Sequence, residues 1–213
     1  MLKSLFFIIA ISSSLSLCAQ TKVSNSFTID TSIRAEVKKR MENSKDFSAL
    51  KDDMQIYNNP VLAEFYENDK LMFTSKDKKI NRVFKSFFYW ENDTLKFDGA
   101  FGLFTGLGFT IEIYKNNALL YHLVSSDESP IYSYKEKGSL ISRLEVPCTD
   151  TKIVLSEMPD STQTQVVYGY VEFKSGNYYA SNGAVNGVEE SPRKKLRANM
   201  KIYFKSSMLI FLR

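Results

Sequence analysis

From about Leu71 onward, apolar and polar residues alternate with a period of two. Phe109, Ile111 and Ile113 alternate with Thr110, Glu112 and Tyr114, for example. Comparable runs occur at 82–90, 94–98, 118–125, 131–135, 140–146, 151–156, 167–174, 177–181 and 199–205. Because successive side chains of a strand point to opposite faces, the pattern predicts about ten strands, each with one buried face.

Short segments rich in Asn, Asp, Gly and Pro separate these runs, and no helical pattern lies between them. Closely spaced strands without intervening helices are typical of antiparallel sheets. The sequence therefore predicts an antiparallel β-sandwich or barrel.

The N-terminal part has a helical pattern instead. Between Ser32 and about Gln55, apolar residues recur at spacings of three and four, with Ser32 in a position to cap the first turn. After the Asn59-Pro60 break, residues 61–66 are predicted as one more helical turn. Together with the strands, this region predicts an α+β, mostly β chain with a short N-terminal helical region.

Residues 1–19 have the pattern of a secretory signal peptide. Lys3 precedes a short apolar run from Leu5 to Ile11, and small residues follow. The run is too short to cross a bilayer as a helix, which takes about 20 apolar residues. Cleavage after Ala19 predicts a soluble product, whereas Leu15 to Cys18 resembles a lipobox and predicts lipidation of Cys18.

We therefore expect an exported protein in the periplasm or at the cell surface, which contacts a membrane only if it carries a lipid anchor. Residues 20–31 are polar and are expected to be loose, and residues 32–213 are expected to form a single domain.

Composition narrows the functional classes only slightly. The chain has 16 Phe and 12 Tyr but 1 Trp, which favours sheet. Its net charge of +4 is only mildly basic, unlike the heavily basic balance typical of nucleic-acid binders, so no nucleic-acid partner is expected. With 1 His and 2 Cys in the sequence, no metal site and no cofactor are expected.

His122 is the only histidine, so any mechanism that uses histidine depends on it. If Asn116-Asn117 forms a two-residue turn, His122 pairs with Ile111 and lies on the apolar face. With a three-residue loop it lies opposite Glu112 on the polar face, because a slip of one residue exchanges the faces. Either position is compatible with a structural histidine.

Cys148 is the only thiol after the predicted signal peptide. A cysteine nucleophile needs a neighbouring base, and His122 is the one imidazole that could serve. Sequence spacing alone does not determine whether the two lie together, and no family motif surrounds Cys148, so a small, half-buried hydrophobic side chain is the simpler interpretation of this residue.

Two sets of aromatic residues are candidate binding groups. The glycine-rich segment 99–108 includes Phe101 and Phe104, and it predicts either a bulged core strand or an exposed binding loop. It lacks the Lys-Ser/Thr of a P-loop and the third Gly of a dinucleotide site. Tyr168 and Tyr170 could form part of a sugar-stacking sheet face.

These features favour a non-enzymatic envelope protein that binds a protein or glycan partner through a sheet face or edge. One alternative is a carrier of a small apolar ligand inside a barrel. Another is a hydrolase that uses His122 with Cys148.

Overall fold

The computed structural model describes residues 26–42, 56–74, 81–101, 105–162, 165–181, 184–185, 188–189 and 192–209. The predicted signal peptide, including Cys18, lies outside these residues. Within them, none of the helical structure is both long and apolar enough to cross a membrane.

The described residues form one helix and fourteen strands. In chain order these are β1 (Phe27–Ile29), α1 (Ile33–Glu42), β2 (Ile56–Glu67), β3 (Lys70–Thr74), β4 (Asn81–Glu91), β5 (Thr94–Phe101), β6 (Thr105–Tyr114), β7 (Asn117–Ser126), β8 (Tyr132–Ser133), β9 (Arg143–Leu155), β10 (Val166–Ser175), β11 (Tyr178–Ala180), β12 (Ala184–Val185), β13 (Val188–Glu189) and β14 (Lys194–Met208). The prediction of a mostly β chain with a short N-terminal helix is confirmed, although there are more strands than the ten or so expected.

One mixed sheet of 12 strands contains most of the chain, and β12 pairs with β13 in a small second sheet. From β2 the pairings run through β4, β5, β6, β7, β9 and β10 to β14, which pairs again with β2. Most neighbours are antiparallel, but β1 is parallel to β9, and the end of β14 is parallel to β4. The expected purely antiparallel sheet was therefore wrong at these two segments, where the alternation of residues carries no information about direction.

Residues 61–66 are part of a strand, so the predicted helical turn there was wrong. Strand β2 pairs with β4 through Ile56–Pro60 and with β14 through Val61–Glu67. Hydrogen bonding to two different neighbours outweighs the weak local preference of a six-residue segment.

The segment that precedes α1 is more ordered than its polar composition suggests. Phe27–Ile29 pair with Ile153–Leu155, and Phe27 packs against the core. Ser32 lies just before the helix, as expected, and its backbone N–H donates to Asp30 Oδ1 at 2.9 Å. Of the predicted helical region, residues 43–55 lie outside the described residues.

Phenylalanine rings fill the centre of the core. The ring centroid of Phe204 on β14 lies 5.0 Å from that of Phe109 and 6.0 Å from that of Phe97, and all three residues are fully buried. Gly169, on the neighbouring strand β10, leaves room for the Phe204 ring, because a Cβ there would overlap it. The predicted buried face of the strands is thus continuous across distant parts of the chain.

Helix α1 packs on the outer face of the sheet. Ile33 and Val37 are buried against Val154 and Tyr170, and Tyr203 packs beside them. The Arg40 guanidinium lies 4.0 Å from the centroid of the Tyr203 ring. The helix therefore covers tyrosines that the alternation of apolar and polar residues assigns to the solvent-exposed face of β10 and β14.

Candidate functional site

A groove of about 330 Å³ crosses β2, β14 and β10 on the outer face of the sheet. Its outward polar side chains are Glu64, Asp150, Glu172, Lys174, Asn199 and Lys201. We call it the sheet-face groove. The side chains of the other lining residues, Ala63, Phe173 and Met200, are buried in the core, so their backbone forms its floor.

Glu64 and Asn199 lie opposite each other across β2 and β14 and form one side of the groove. Glu64 Oε2 accepts hydrogen bonds from the Tyr66 hydroxyl at 3.0 Å and from Asn199 Nδ2 at 3.1 Å. Asn199 Oδ1 is buried and has no hydrogen-bond partner among the described residues. This side therefore combines a carboxylate held in place with an unused acceptor.

Glu172 and Lys201 lie opposite each other across β10 and β14 and form the other side. Lys201 Nζ is 2.6 Å from Glu172 Oε1, and the Tyr170 hydroxyl donates to Glu172 Oε2 at 2.6 Å. Burial raises the pKa of Glu172, but the hydrogen bonds from Lys201 and Tyr170 outweigh it and leave the pKa below its usual value. The carboxylate is therefore ionised at neutral pH.

Lys174 and Asp150 close one end of the groove. Their Nζ and Oδ2 atoms are 2.8 Å apart, and both side chains are more than half exposed. An exposed pair of this kind contributes little to stability, so it can exchange its partner for a ligand at small cost.

Tyr66 and Arg197 lie just beyond the Glu64 side. The Arg197 guanidinium is 3.7 Å from the centroid of the Tyr66 ring. The tyrosines next to the groove thus have two visible tasks, which are to orient carboxylates and to contact cations.

The sequence analysis did not identify the groove, although a local signal existed. Glu64-Phe65-Tyr66 and Tyr170-Val171-Glu172 each place a tyrosine two residues from a glutamate. In a strand that spacing puts both side chains on the same face. What brings the two motifs together is β14, which pairs with both strands.

The predicted tyrosine surface is mostly covered. Tyr170 is buried beneath α1, and Tyr168 is half-buried with the cationic groups of Arg34 and Lys38 each 5.6 Å from its ring centroid. A binding role for these two residues stays a prediction, and any direct contact would have to reach them past the helix.

The glycine-rich segment is divided between two strands. Residues 99–101 end β5 and residues 105–108 begin β6, which pair without a register shift in their described part. Phe101 is 3% exposed and belongs to the core, whereas Phe104 lies outside the described residues. Phe101 is thus not available at the surface as a binding group.

His122 faces the core, and its turn differs from the predicted one. Tyr114 pairs with Asn117, so the two-residue turn is Lys115-Asn116 rather than Asn116-Asn117. His122 consequently pairs with Phe109 instead of Ile111. The shift is an even number of residues, so the side chain stays on the apolar face, as the two-residue alternative predicts.

The His122 imidazole is fully buried between aromatic rings. Its ring centroid is 5.8 Å from that of Phe173 and 5.7 Å from that of Tyr178. Nδ1 is 3.0 Å from the Gly108 carbonyl oxygen, and Nε2 has no partner among the described residues. Burial lowers the pKa of His122 to about 4, against a smaller opposing effect of the Gly108 hydrogen bond.

Cys148 lies on the inner face of the strand that pairs with that of His122. It is 2% exposed, and its thiol donates to the Val146 carbonyl oxygen at 3.5 Å. Burial raises the pKa of the Cys148 thiol, although the backbone N–H of His122 acts in the opposite direction. The two residues are neighbours, but both are neutral and shielded from solvent.

We expect Cys148 to resist thiol reagents in the folded chain. In a Cys18→Ser variant at pH 8, a disulfide reagent should modify Cys148 at least about 100-fold more slowly than in the urea-unfolded chain, since the thiolate is the reactive species. The rates can be followed by absorbance. Comparable rates in the two states would show that the thiol is accessible.

A second polar cluster lies on the outer face of β5, β6 and β9. Thr110 Oγ1 donates to Asp98 Oδ1 at 2.8 Å, and Arg143 Nη2 is 3.7 Å from the same oxygen. Burial raises the pKa of Asp98, although the Thr110 hydrogen bond and Arg143 oppose it. Asp98 thus interacts with Thr110 and Arg143, which lie on other strands of the sheet, so we assign it a structural role.

No group of three or more His, Cys, Asp or Glu side chains in the described part of the chain is arranged to hold a metal ion. The sheet-face groove therefore stands as the candidate site on its polar side chains alone. In comparisons with known proteins, no family model, no curated protein and no solved structure matches this chain.

Proposed function

We propose that the protein is an exported, non-enzymatic binding module of the bacterial cell envelope, and that its partner binds in the sheet-face groove. The observation that carries the proposal is the groove itself. It combines carboxylates, ammonium groups and an amide on an otherwise regular sheet face. Its volume of about 330 Å³ is at the lower end of the range for ligand pockets.

The export part of the proposal is supported by the sequence of residues 1–19. Lys3, the apolar run from Leu5 to Ile11 and the small residues up to Ala19 are typical of a secretory signal peptide. The partner is then a component of the periplasm or cell surface. A lipid attached to Cys18 would hold the module at a membrane without changing the groove.

We also infer that the eight strands from β2 through β14 form a closed barrel rather than a sandwich. The support is the return of β14 to β2, which leaves no free edge in that series of pairings. A rigid closed sheet would hold the groove side chains in fixed positions, which reduces the entropic cost of binding.

The two alternative functions are less favoured by the packing. A carrier needs space inside the sheet, but the rings of Phe97, Phe109 and Phe204 contact one another there. A hydrolase needs an accessible thiolate or a base that can accept a proton, and burial opposes both at Cys148 and His122.

The proposal can be tested by NMR with the ¹⁵N-labelled full chain and a soluble extract of bacterial envelopes. One half of the extract is digested with protease and the other is oxidised with periodate, which destroys glycans. At least one half should shift amide signals at 63–64, 172–174 and 199–201. Lys201→Glu should reduce the shifts at least about tenfold, because it replaces an ion pair with two like charges.

Lys115→Glu is the matched control. It makes the same charge change at the exposed β6–β7 turn, on a residue that does not line the groove, and should leave the shifts unaltered. Absence of groove shifts with either half, or equal effects of the two variants, would contradict the proposal.

A further inference from the structure

The hydrogen-bonding groups of the sheet-face groove indicate what kind of unit it accepts. We infer that the groove binds a neutral saccharide unit, an inference that rests on the proposed binding function. Acidic and cationic groups face each other across the strands: Glu64 and Lys174 on either side of Asn199, and Glu172 opposite Lys201. A hydroxyl group can donate to a carboxylate and accept from an ammonium group, so adjacent sugar hydroxyls match this alternation.

The floor of the groove argues against an extended peptide. Met200 pairs with Ala63 on one side and with Phe173 on the other, so the backbone is already occupied by the sheet. Binding by strand addition requires a free edge, and specificity requires pockets for side chains. The side chains of Ala63, Phe173 and Met200 point into the core, so these floor residues do not shape pockets for peptide side chains.

The charges of the groove argue against an acidic ligand. Three carboxylates and two ammonium groups line it, and each ammonium group already has a carboxylate partner. An added negative charge would have to compete for Lys174 or Lys201 while facing Glu64, Asp150 and Glu172. A neutral ligand avoids that repulsion.

Asn199 provides the position with the most to gain from a ligand. Its Nδ2 group donates to Glu64 at 3.1 Å, but its Oδ1 atom has no partner among the described residues. A buried acceptor without a donor is costly. Because this oxygen is shielded in the free protein, a ligand pairs with it only when the Asn199 amide turns toward the groove. A sugar hydroxyl donated to it there removes the cost of the unpaired acceptor, so we expect Asn199 to contribute strongly to affinity.

The carboxylates are positioned before any ligand arrives. Tyr66 and Asn199 hold Glu64, while Tyr170 and Lys201 hold Glu172. Groups already fixed in the free protein lose little side-chain entropy on binding. Hydrogen bonding to fixed polar groups can therefore yield useful affinity even in a shallow site.

Titration of the ¹⁵N-labelled full chain with five defined probes tests the inference. The probes are maltose, cellobiose, N,N′-diacetylchitobiose, digalacturonate and triglycine. At least one of the three neutral disaccharides should shift amides of the groove with a dissociation constant in the millimolar range or below. Digalacturonate and triglycine should bind at least about tenfold more weakly.

Two groove variants and one control identify the residues. Asn199→Leu and the nearly isosteric Glu64→Gln should each weaken the disaccharide at least about tenfold, whereas Glu112→Gln on β6 should not. Well-dispersed spectra show that each variant is folded, and Glu64→Gln suffices if Asn199→Leu is not. Failure of all three disaccharides, or tighter binding of triglycine, overturns the saccharide assignment. If the envelope extract still shifts the same amides, the binding proposal survives; if it does not, both fall.

Discussion

Replacing Gly108 with alanine should cost the protein about 3 kcal/mol or more of its free energy of unfolding. A Cβ at this position would lie 2.8 Å from Gly99 C and 2.9 Å from Ala100 Cα, and still closer to the Gly99 carbonyl oxygen. All of these are backbone or Cα atoms of the paired strand β5, so no side-chain rotation can make room. The strands would have to move apart in the middle of the sheet.

Gly106→Ala is the matched control for this substitution. Its Cβ would overlap only with Ser125 Oγ, and the next nearest atom, Ser125 Cβ, is 3.7 Å away. A hydroxyl group can rotate, so we expect a loss below about 1 kcal/mol. Urea unfolding monitored by circular dichroism gives both values, and equal midpoints for the two variants would contradict the role assigned to Gly108.

The protein should lose about 3 kcal/mol of stability between pH 7 and pH 4 because of His122 alone. Its pKa is about 4 in the folded state, against a usual value of 6.5. The unfolded state therefore binds more protons between these two values, and stability falls as the pH falls through that window. Below about pH 4 both states are protonated and this contribution stays constant.

The window is diagnostic because His122 is the only histidine in the chain. The raised pKa of Asp98 acts with the opposite sign, since it favours the folded state as the pH falls. The difference between the wild type and a His122→Gln variant therefore isolates the imidazole. Urea unfolding at pH 4.5, 5.5, 6.5 and 7.5 should give a steep curve for the wild type and a flatter one for the variant. Parallel curves would assign the pH dependence to other groups.

Alternation of residues was a sound guide wherever a strand has one inner and one outer face. Phe109 and Phe173 lie on the face that the pattern assigned to the core, whereas the face of His122 was left open between two turn lengths. The pattern carries less information where the outer face is also covered, as at Tyr170 beneath α1. There, burial depends on a helix more than 100 residues earlier in the chain, which no local window includes.

The predicted register between β6 and β7 was wrong because the turn residues were chosen by their conformational preference alone. An Asn-Asn pair is an attractive turn signal, yet the chain turns one residue earlier, and Lys115 takes the positive φ of 55°. By contrast, Asn92-Asp93 does form the two-residue turn between the runs at 82–90 and 94–98, with φ of 48° and 60°. The preference of Asn and Asp for positive φ indicates which residues can form a turn. The packing of the two strands then determines which of two adjacent residue pairs forms it.

The candidate site could not be derived from the sequence because it is assembled by long-range pairing. Glu64, Glu172 and Asn199 come from three strands that are far apart along the chain. Their common position depends on β14 lying between β2 and β10. If the strand order is not known, each of these side chains is an ordinary polar residue on the solvent-exposed face of its strand.

The place of β14 also governs when the molecule can assume its final shape. It is the last of the described strands to leave the ribosome, yet it lies between β2 and β10 and joins them. Pairing of β14 with β2 is slow, because the entropy of closing the long intervening loop is lost before the contacts between the two strands form. A nascent chain that lacks β14 would therefore leave the series of strand pairings open between β10 and β2, and the sheet can be completed only after this last described strand has been released.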